Sequence, residues 1–100
     1  MPTDEDNRRE ERVRAALRVD LGNNASGVTR DVSASGIFFE TDTAYAPGSP
    51  ISFAIDIDAP GGKMILNCRG EIVRVEQRDR RVGVAVKILE SMLKPAAAVA

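Results

Sequence analysis

Three arginines near the start of the chain have the side-chain type and spacing needed to bind an anionic ligand. Arg8 and Arg12 lie four residues apart, and Arg9 follows the first of them. Each guanidinium is a fork of N–H donors that can grip two phosphate oxygens, or the N7 and O6 acceptors of guanine. Two such forks can converge on one ligand. On its own, the segment is also typical of a solvated leader in which Glu10 and Glu11 balance the arginines.

A second polar group follows in the stretch RDVSASG. On a strand, Asp31 and Ser33 point to one face, while Val28 and Val32 point to the other. Together they offer a carboxylate acceptor and a hydroxyl. Gly36 can adopt a left-handed conformation or allow a ligand to approach the backbone. The alternative is an Asp or Ser turn that closes a β-hairpin without binding anything.

Strands must position these residues, because apolar and polar residues alternate along most of the chain. Turn residues such as those in GNNASG, APGGK and RDRR separate the alternating runs. This pattern predicts an all-β fold, an antiparallel barrel or sandwich of six short strands. The predicted strands are Val13–Leu21, Val28–Ser33, Gly36–Thr41, Ile51–Asp58, Met64–Gln77 and Val82–Ile88.

The fifth strand changes its apolar phase partway along. Met64 and Ile72 hold the even register, whereas Val73 and Val75 hold the odd one. A one-residue change of phase reverses the buried face, so we expect a bulge or sharp bend near Gly70–Val73.

The chain ends in two short stretches of different character. LESMLK, over Leu89–Lys94, predicts one or two helical turns that cover an end of the barrel, and KPAAAVA is assigned no function. We therefore expect a flexible N-terminal arm over residues 1–12, a barrel over residues 13–90 and a tail over residues 91–100.

Composition restricts the possible chemistry. The 100 residues suit a single domain, and a net charge of −1 from 14 basic and 15 acidic residues does not favour a general DNA or RNA binder. Cys68 is the only cysteine and histidine is absent, which excludes an intrachain disulfide, a Cys/His zinc site and catalysis by imidazole. We expect no metal and no cofactor. The sequence shows neither a signal-peptide core nor an apolar run of about 18 residues, and predicts a soluble, cytoplasmic protein.

The order of the two polar groups resembles the PilZ domain family. Arg8-x-x-x-Arg12 is followed by a strand and a turn, then Asp31-x-Ser33-x-x-Gly36, then strands up to a closing RRVGVAV. The resemblance runs from about residue 7 to residue 88. It implies a six-stranded antiparallel barrel that acts as a receptor for cyclic diguanylate (c-di-GMP), a bacterial second messenger.

The resemblance also implies a role for each motif residue. Arg8 and Arg12 contact phosphates and guanine with help from Arg9, Asp31 and Ser33 hydrogen-bond guanine or phosphate, and Gly36 shapes the loop. These assignments suit the ligand, since arginine forks match its phosphates and guanine acceptors, and Asp31 matches the N1–H and N2–H₂ donors of guanine. Ordering of the arm by the ligand would pass the signal to a downstream protein partner.

Three alternatives remain open. Some PilZ domains bind no nucleotide and act as interaction adaptors, and the charged hairpin Arg74–Arg81 offers an exposed face for such a role. The pair Asp56 and Asp58 superficially suggests an enzyme or a hard metal ion, but is more typical of the solvent side of a strand. A barrel for single-stranded nucleic acid needs stacking aromatics. The aromatic residues mostly occupy positions typical of core or turn: Phe38, Phe39, Tyr45 and Phe53.

Overall fold

Six antiparallel strands close into a barrel. The computed structural model of the protein describes residues 16–96, and those residues form strands and turns with no helix. The strand order around the barrel is β1-β2-β3-β6-β5-β4, which confirms the predicted fold class. The strands are β1 (Arg18–Gly22), β2 (Ala25–Val32), β3 (Gly36–Thr41), β4 (Pro50–Ala59), β5 (Gly62–Arg78) and β6 (Arg81–Pro95).

Apolar side chains from every second strand position fill the barrel. The alternation predicted for β4 and β6 is confirmed, because Ile51, Phe53 and Ile55 point inwards, as do alternate valines of β6. The buried hydrophobic residues are Val19, Ile37, Phe39, Ile51, Phe53, Ile55, Cys68, Ile72, Val82, Val84 and Val86.

The first hairpin turns more tightly than predicted. Asn23 and Asn24 have φ of 50° and 65°, and Gly22 pairs directly with Ala25. Positive φ at both central residues is the type I′ geometry that suits the twist of a hairpin. The strand β1 begins at Arg18, and the predicted start over residues 13–15 lies outside the described residues.

A bulge in β2 changes which side chains face the core. The register with β3 shifts between Thr29, which lies opposite Phe39, and Asp31, which lies opposite Phe38. Thr29 is fully buried and Val28 is exposed on the same side of the strand as Asp31, so the prediction that Val28 and Asp31 point to opposite faces is wrong. The extra residue restores the phase beyond it, and Val32 packs against the core, on the face opposite Asp31 as predicted.

The strand β5 contains the bulge that its change of phase predicts. Its pairing with β6 shifts between Arg69 and Gly70 and again between Ile72 and Arg74. Val73 is the extra residue of the second bulge and is exposed, which corrects the expectation that it faces the core.

The predicted helical turns over Leu89–Lys94 are wrong, because β6 continues as a strand to Pro95. Its last residues pair with the first half of β5, from Met64 opposite Pro95 to Arg69 opposite Glu90. The long β5 offers backbone donors and acceptors along this half, and pairing with β6 satisfies them. The strand thus enters the residues that the sequence assigned to the tail.

Two hydrogen bonds attach the residues before β1 to β2. The Leu17 N–H donates to Thr29 Oγ1 over 2.8 Å, and the Thr29 N–H donates to the Leu17 carbonyl over 2.9 Å. Thr29 is fully buried, so its hydroxyl contacts the Leu17 amide away from water. This contact fixes where the chain joins the barrel, two residues before Asp31.

Replacing Thr29 by valine should loosen this attachment. The Leu17 amide would lose its acceptor in a partly buried position, so we expect Thr29→Val to reduce the free energy of unfolding by about 1–2 kcal/mol. Amide hydrogen exchange at Leu17 should accelerate more than exchange in the core. Thr41→Val is the matched control, since Thr41 is equally buried but donates to the Ser26 carbonyl. Equal acceleration at Leu17 in both variants would contradict the assignment.

Candidate functional site

The loop between β2 and β3 places three of the predicted site residues together. The N–H of Ser33 donates to the Gly36 carbonyl over 2.8 Å, and its Oγ lies 3.2 Å from the same oxygen. Ser33 therefore does close the turn, as the alternative interpretation predicts. Its hydroxyl oxygen still keeps acceptor lone pairs, so a role in binding is compatible with this geometry.

Gly36 is favoured here because there is little room for a side chain, and not because the backbone is left-handed. Its φ is not among the positive values of the described glycines, which occur at Gly22, Gly48 and Gly62. A Cβ at position 36 would lie 3.2 Å from the Val86 carbonyl oxygen on β6. Glycine thus allows close contact between the loop and β6.

A depression of about 300 Å³ opens on the outer face of the barrel at this loop. The β2 bulge produces it, because the bulge turns Asp31 outwards opposite Phe38. The lining is mainly polar and joins the predicted residues to a side chain from β5. Its residues are Asp31, Ser33, Gly36, Ile37, Phe38 and Arg74.

Phe38 lies on the outer face beneath two guanidinium groups. The Arg78 guanidinium carbon is 5.4 Å from the ring centroid, and that of Arg74 is 5.9 Å away. A Cβ at Gly83 would approach the Phe38 ring to 2.6 Å, so the glycine makes room for the ring to lie against β6. Both arginines are within the distance at which a cation is attracted to an aromatic face.

Glu76 holds these two arginines in place. Its carboxylate accepts from Arg78 Nη2 over 2.8 Å and from Arg74 Nε over 2.7 Å. These hydrogen bonds, that from Arg78 first, lower the pKa of Glu76, and the same contact raises the pKa of Arg78. The carboxylate of Glu76 and the guanidinium of Arg78 therefore stay charged at neutral pH. Glu76 uses only Nε of Arg74, and the terminal nitrogens of that fork remain for another acceptor.

Glu40 lies close to a further group of arginines beside Phe38. It lies 3.7 Å from Arg30, 3.7 Å from Arg78 and 3.9 Å from Arg81. The four arginines around the two glutamates are Arg30, Arg74, Arg78 and Arg81, which we call the arginine surface. Positive groups outnumber negative ones here, so the barrel face beside Asp31 favours an anionic ligand although the whole chain is nearly neutral.

The structure thus brings Asp31, Ser33 and Gly36 together, whereas Arg8, Arg9 and Arg12 lie outside the described residues. Besides the buried Ile37, two residues that line the depression were not predicted to belong to a site. Phe38 was expected in the core or a turn, and Arg74 was counted only as part of a charged hairpin. The β2 bulge sets the pairing of Phe38 with Asp31, so that pairing could not be predicted without knowing that the bulge exists.

Other parts of the chain offer weaker sites. Asp56 and Asp58 are exposed, and Asp58 lies 3.2 Å from Lys63, as expected for the solvent side of a strand. Within residues 16–96 no cluster of three or more potential ligands could hold a metal ion. Over the same range, no helix long and apolar enough to cross a membrane is found.

Comparison with known proteins agrees with this arrangement. The family model for the PilZ domain matches residues 6–95, which is most of the chain. No curated protein matches the sequence. PilZ domains are in general receptors for cyclic diguanylate and not catalysts, although some of them do not bind this ligand. The match over nearly the whole chain, the closed six-stranded barrel and the Asp31, Ser33 and Gly36 cluster all agree, and the chain belongs to the PilZ domain family.

Proposed function

We propose that this protein binds cyclic diguanylate at the depression beside Asp31 and does not turn it over. The observation that carries the proposal is that Asp31, Ser33 and Gly36 line the same depression as Arg74, next to the arginine surface. Carboxylate acceptors and guanidinium donors thus lie within one concave site. A cyclic dinucleotide needs both, since it presents two negative phosphates and two guanine edges.

Each described group has a partner on such a ligand. The carboxylate of Asp31 can accept from guanine N1–H and N2–H₂, while the terminal nitrogens of Arg74 can donate to a phosphate or to guanine N7 and O6. The planar guanidinium groups over Phe38 also give a guanine base a surface on which to stack. The barrel would therefore supply both donors and acceptors before the N-terminal arginines contribute.

The N-terminal arginines are close enough along the chain to complete the site. Leu17 is hydrogen-bonded to Thr29, two residues from Asp31. Arg12 precedes Leu17 by five positions along the chain, and five fully extended residues span roughly 17 Å. Arg12 can therefore reach the depression from this attachment, and Arg8 and Arg9 have still more chain between them and Leu17. We infer that Arg8, Arg9 and Arg12 close over the ligand.

Removal of Arg12 should weaken binding strongly. Truncation of a charged hydrogen-bonding partner typically costs on the order of 2–4 kcal/mol, which corresponds to roughly a 30- to 1,000-fold increase in Kd. Calorimetric titration of Arg12→Ala with cyclic diguanylate measures this loss. Arg18→Ala is the matched control, because Arg18 is exposed on β1 and outside the motif.

The outcome of this titration separates the proposal from its alternatives. An Arg12→Ala variant that binds like the wild type would sink the assignment of the arginine motif. Absence of binding by the wild type would favour the interaction adaptor, and loss of binding in the presence of competing RNA would favour the nucleic-acid barrel. Recovery of intact cyclic diguanylate after incubation checks that the protein does not hydrolyse it.

Arg74 should contribute to binding although it lies outside both motifs. We expect Arg74→Ala to raise the Kd about tenfold, because the variant loses a fork of donors at the edge of the depression. Arg69→Ala is closely matched, since both arginines lie on β5, both pair with a glutamate and their side chains are 61% and 62% exposed. Equal effects of the two substitutions would show that only overall charge matters.

The signal is proposed to be the ordering of residues 7–12 against the barrel when the ligand binds. Folding of a segment on binding costs conformational entropy, but it creates a surface that a partner protein can recognise. We expect the backbone amide signals of residues 8–12 in NMR spectra to shift and to show higher order parameters at saturating ligand. Amide signals of Asp56 and Asp58, which lie on an exposed strand face, serve as internal controls. Unchanged order parameters over residues 8–12 would contradict this mechanism.

A further inference from the structure

The last part of β6 has an open edge. The strand β3 pairs with β6 only from Val82 to Lys87, and the next contact is the Ile88 N–H bound to the Ser35 carbonyl. From Glu90 to Pro95 β6 pairs with β5 on one side, with Leu89 as the extra residue of a bulge, and within residues 16–96 no strand pairs with it on the other. An open strand edge is a template on which another strand can pair.

The backbone groups that point to this edge follow from the ladder with β5. The Ala96 N–H donates to the Lys63 carbonyl, and Met64 lies opposite Pro95. Hydrogen-bonded positions alternate along an antiparallel ladder, so the N–H and C=O groups of Ser91 and Leu93 point away from β5. Pro95 occupies the same phase, where its missing N–H does not disturb the ladder, as is typical of proline on an edge strand.

Apolar side chains border this edge. Leu89, Met92 and Leu93 are 59%, 64% and 55% exposed, respectively. A long strand edge with exposed apolar residues is avoided in soluble proteins unless something covers it.

The sequence of the edge complements itself. Glu90, Met92 and Lys94 alternate along one face of β6, with opposite charges at equal distances on either side of Met92. We propose that the edge pairs with the same edge of a second copy of this chain, antiparallel about a two-fold axis at Met92. Glu90 then lies opposite the partner's Lys94, and Ser91 lies opposite the partner's Leu93.

Charge selects this register from its neighbours. The neighbouring registers are those in which one strand is shifted by two residues relative to its partner, because a shift by one residue would leave the outward-pointing backbone groups without partners. One such shift places Glu90 opposite the partner's Met92, and the other places it opposite the partner's Ala96. The central register alone brings opposite charges face to face, which stabilises a cross-strand pair.

Glu90 can make this contact without losing its neighbour in the same chain. Its Oε1 lies 2.6 Å from Arg69 Nη2, which leaves Oε2 for the partner's Lys94. Pairing over residues 90–94 is small for a permanent interface, so we expect a dimer that depends on protein concentration.

A cysteine at the two-fold axis tests the register. In this pairing Met92 and the partner's Met92 form a non-hydrogen-bonded pair, whose Cα atoms are about 4.5 Å apart and within disulfide range. Met92→Cys should give a covalent dimer on mild oxidation. Ser91→Cys and Leu93→Cys should give much less, because each would lie opposite the other position; equal cross-linking of all three would overturn the register. The unmodified protein is the background control, since Cys68 is buried and burial raises its pKa to about 11.

Charge exchange tests the same pairing without a cross-link. In sedimentation velocity over a range of concentrations, Glu90→Lys and Lys94→Glu should each raise the dimer Kd several-fold through repulsion. The double variant should restore association, although it cannot restore the Glu90–Arg69 contact within one chain.

Two outcomes would overturn the proposal. The first is a wild-type protein that stays monomeric at every concentration, as pairing of the edge with another segment of its own chain would produce. The second is a double variant that associates no better than the single ones. Both experiments are carried out without nucleotide, so their results are independent of the proposed binding of cyclic diguanylate.

Discussion

The bulge in β2 is the constraint on which the outer face of this barrel depends. A regular strand would alternate from the buried Thr29 and place Asp31 inside the core. The extra residue between Thr29 and Asp31 lets Thr29 stay buried, turns Asp31 outwards opposite Phe38 and returns Val32 to the core. One strand can therefore contribute side chains to both the site and the core. Without the bulge, the Asp31 carboxylate would be buried in the core, and an uncompensated buried carboxylate is costly.

A second bulge, in β5, completes the same face. Val73 is the extra residue there, and Arg74 follows it to the edge of the depression, where Glu76 orients its guanidinium. Bulges commonly re-aim side chains next to functional sites. The two irregular strands are not neighbours in the barrel order, and Phe38 on β3 links them through its pairing with Asp31 and its contact with Arg74.

Sequence alone predicted what depends on periodicity and turn chemistry, and it failed where tertiary pairing decides. Six strands, the buried alternation of β4 and the bulge near Val73 follow from local patterns. The outward position of Val28 does not, because no apolar phase marks the bulge in β2. The surface position of Phe38 does not follow either, because Ile37, Phe38 and Phe39 are consecutive apolar residues and the pattern does not say which of them faces outwards. The extension of β6 through Leu89–Lys94 was not predicted, because these residues suit a helix equally well. They form a strand because the first half of β5 has backbone groups on the side away from β4 that need hydrogen-bonding partners.

The proposed function requires a different contribution from the barrel than from the N-terminal arginines. On the barrel, Glu76 and Glu40 hold the arginine surface in place, so a ligand that binds there would meet donors whose side-chain entropy is already partly lost. Under the proposed function, most of the conformational entropy lost on binding comes from residues 7–12. This loss reduces the affinity, but the ordering also changes the surface presented to a partner. The hydrogen bonds between Leu17 and Thr29 limit that cost, since they anchor the end of the segment at the site and shorten the chain that must be ordered. A looser attachment would leave every ligand contact on the barrel intact and would still weaken binding, because more of the binding energy would go into ordering the chain.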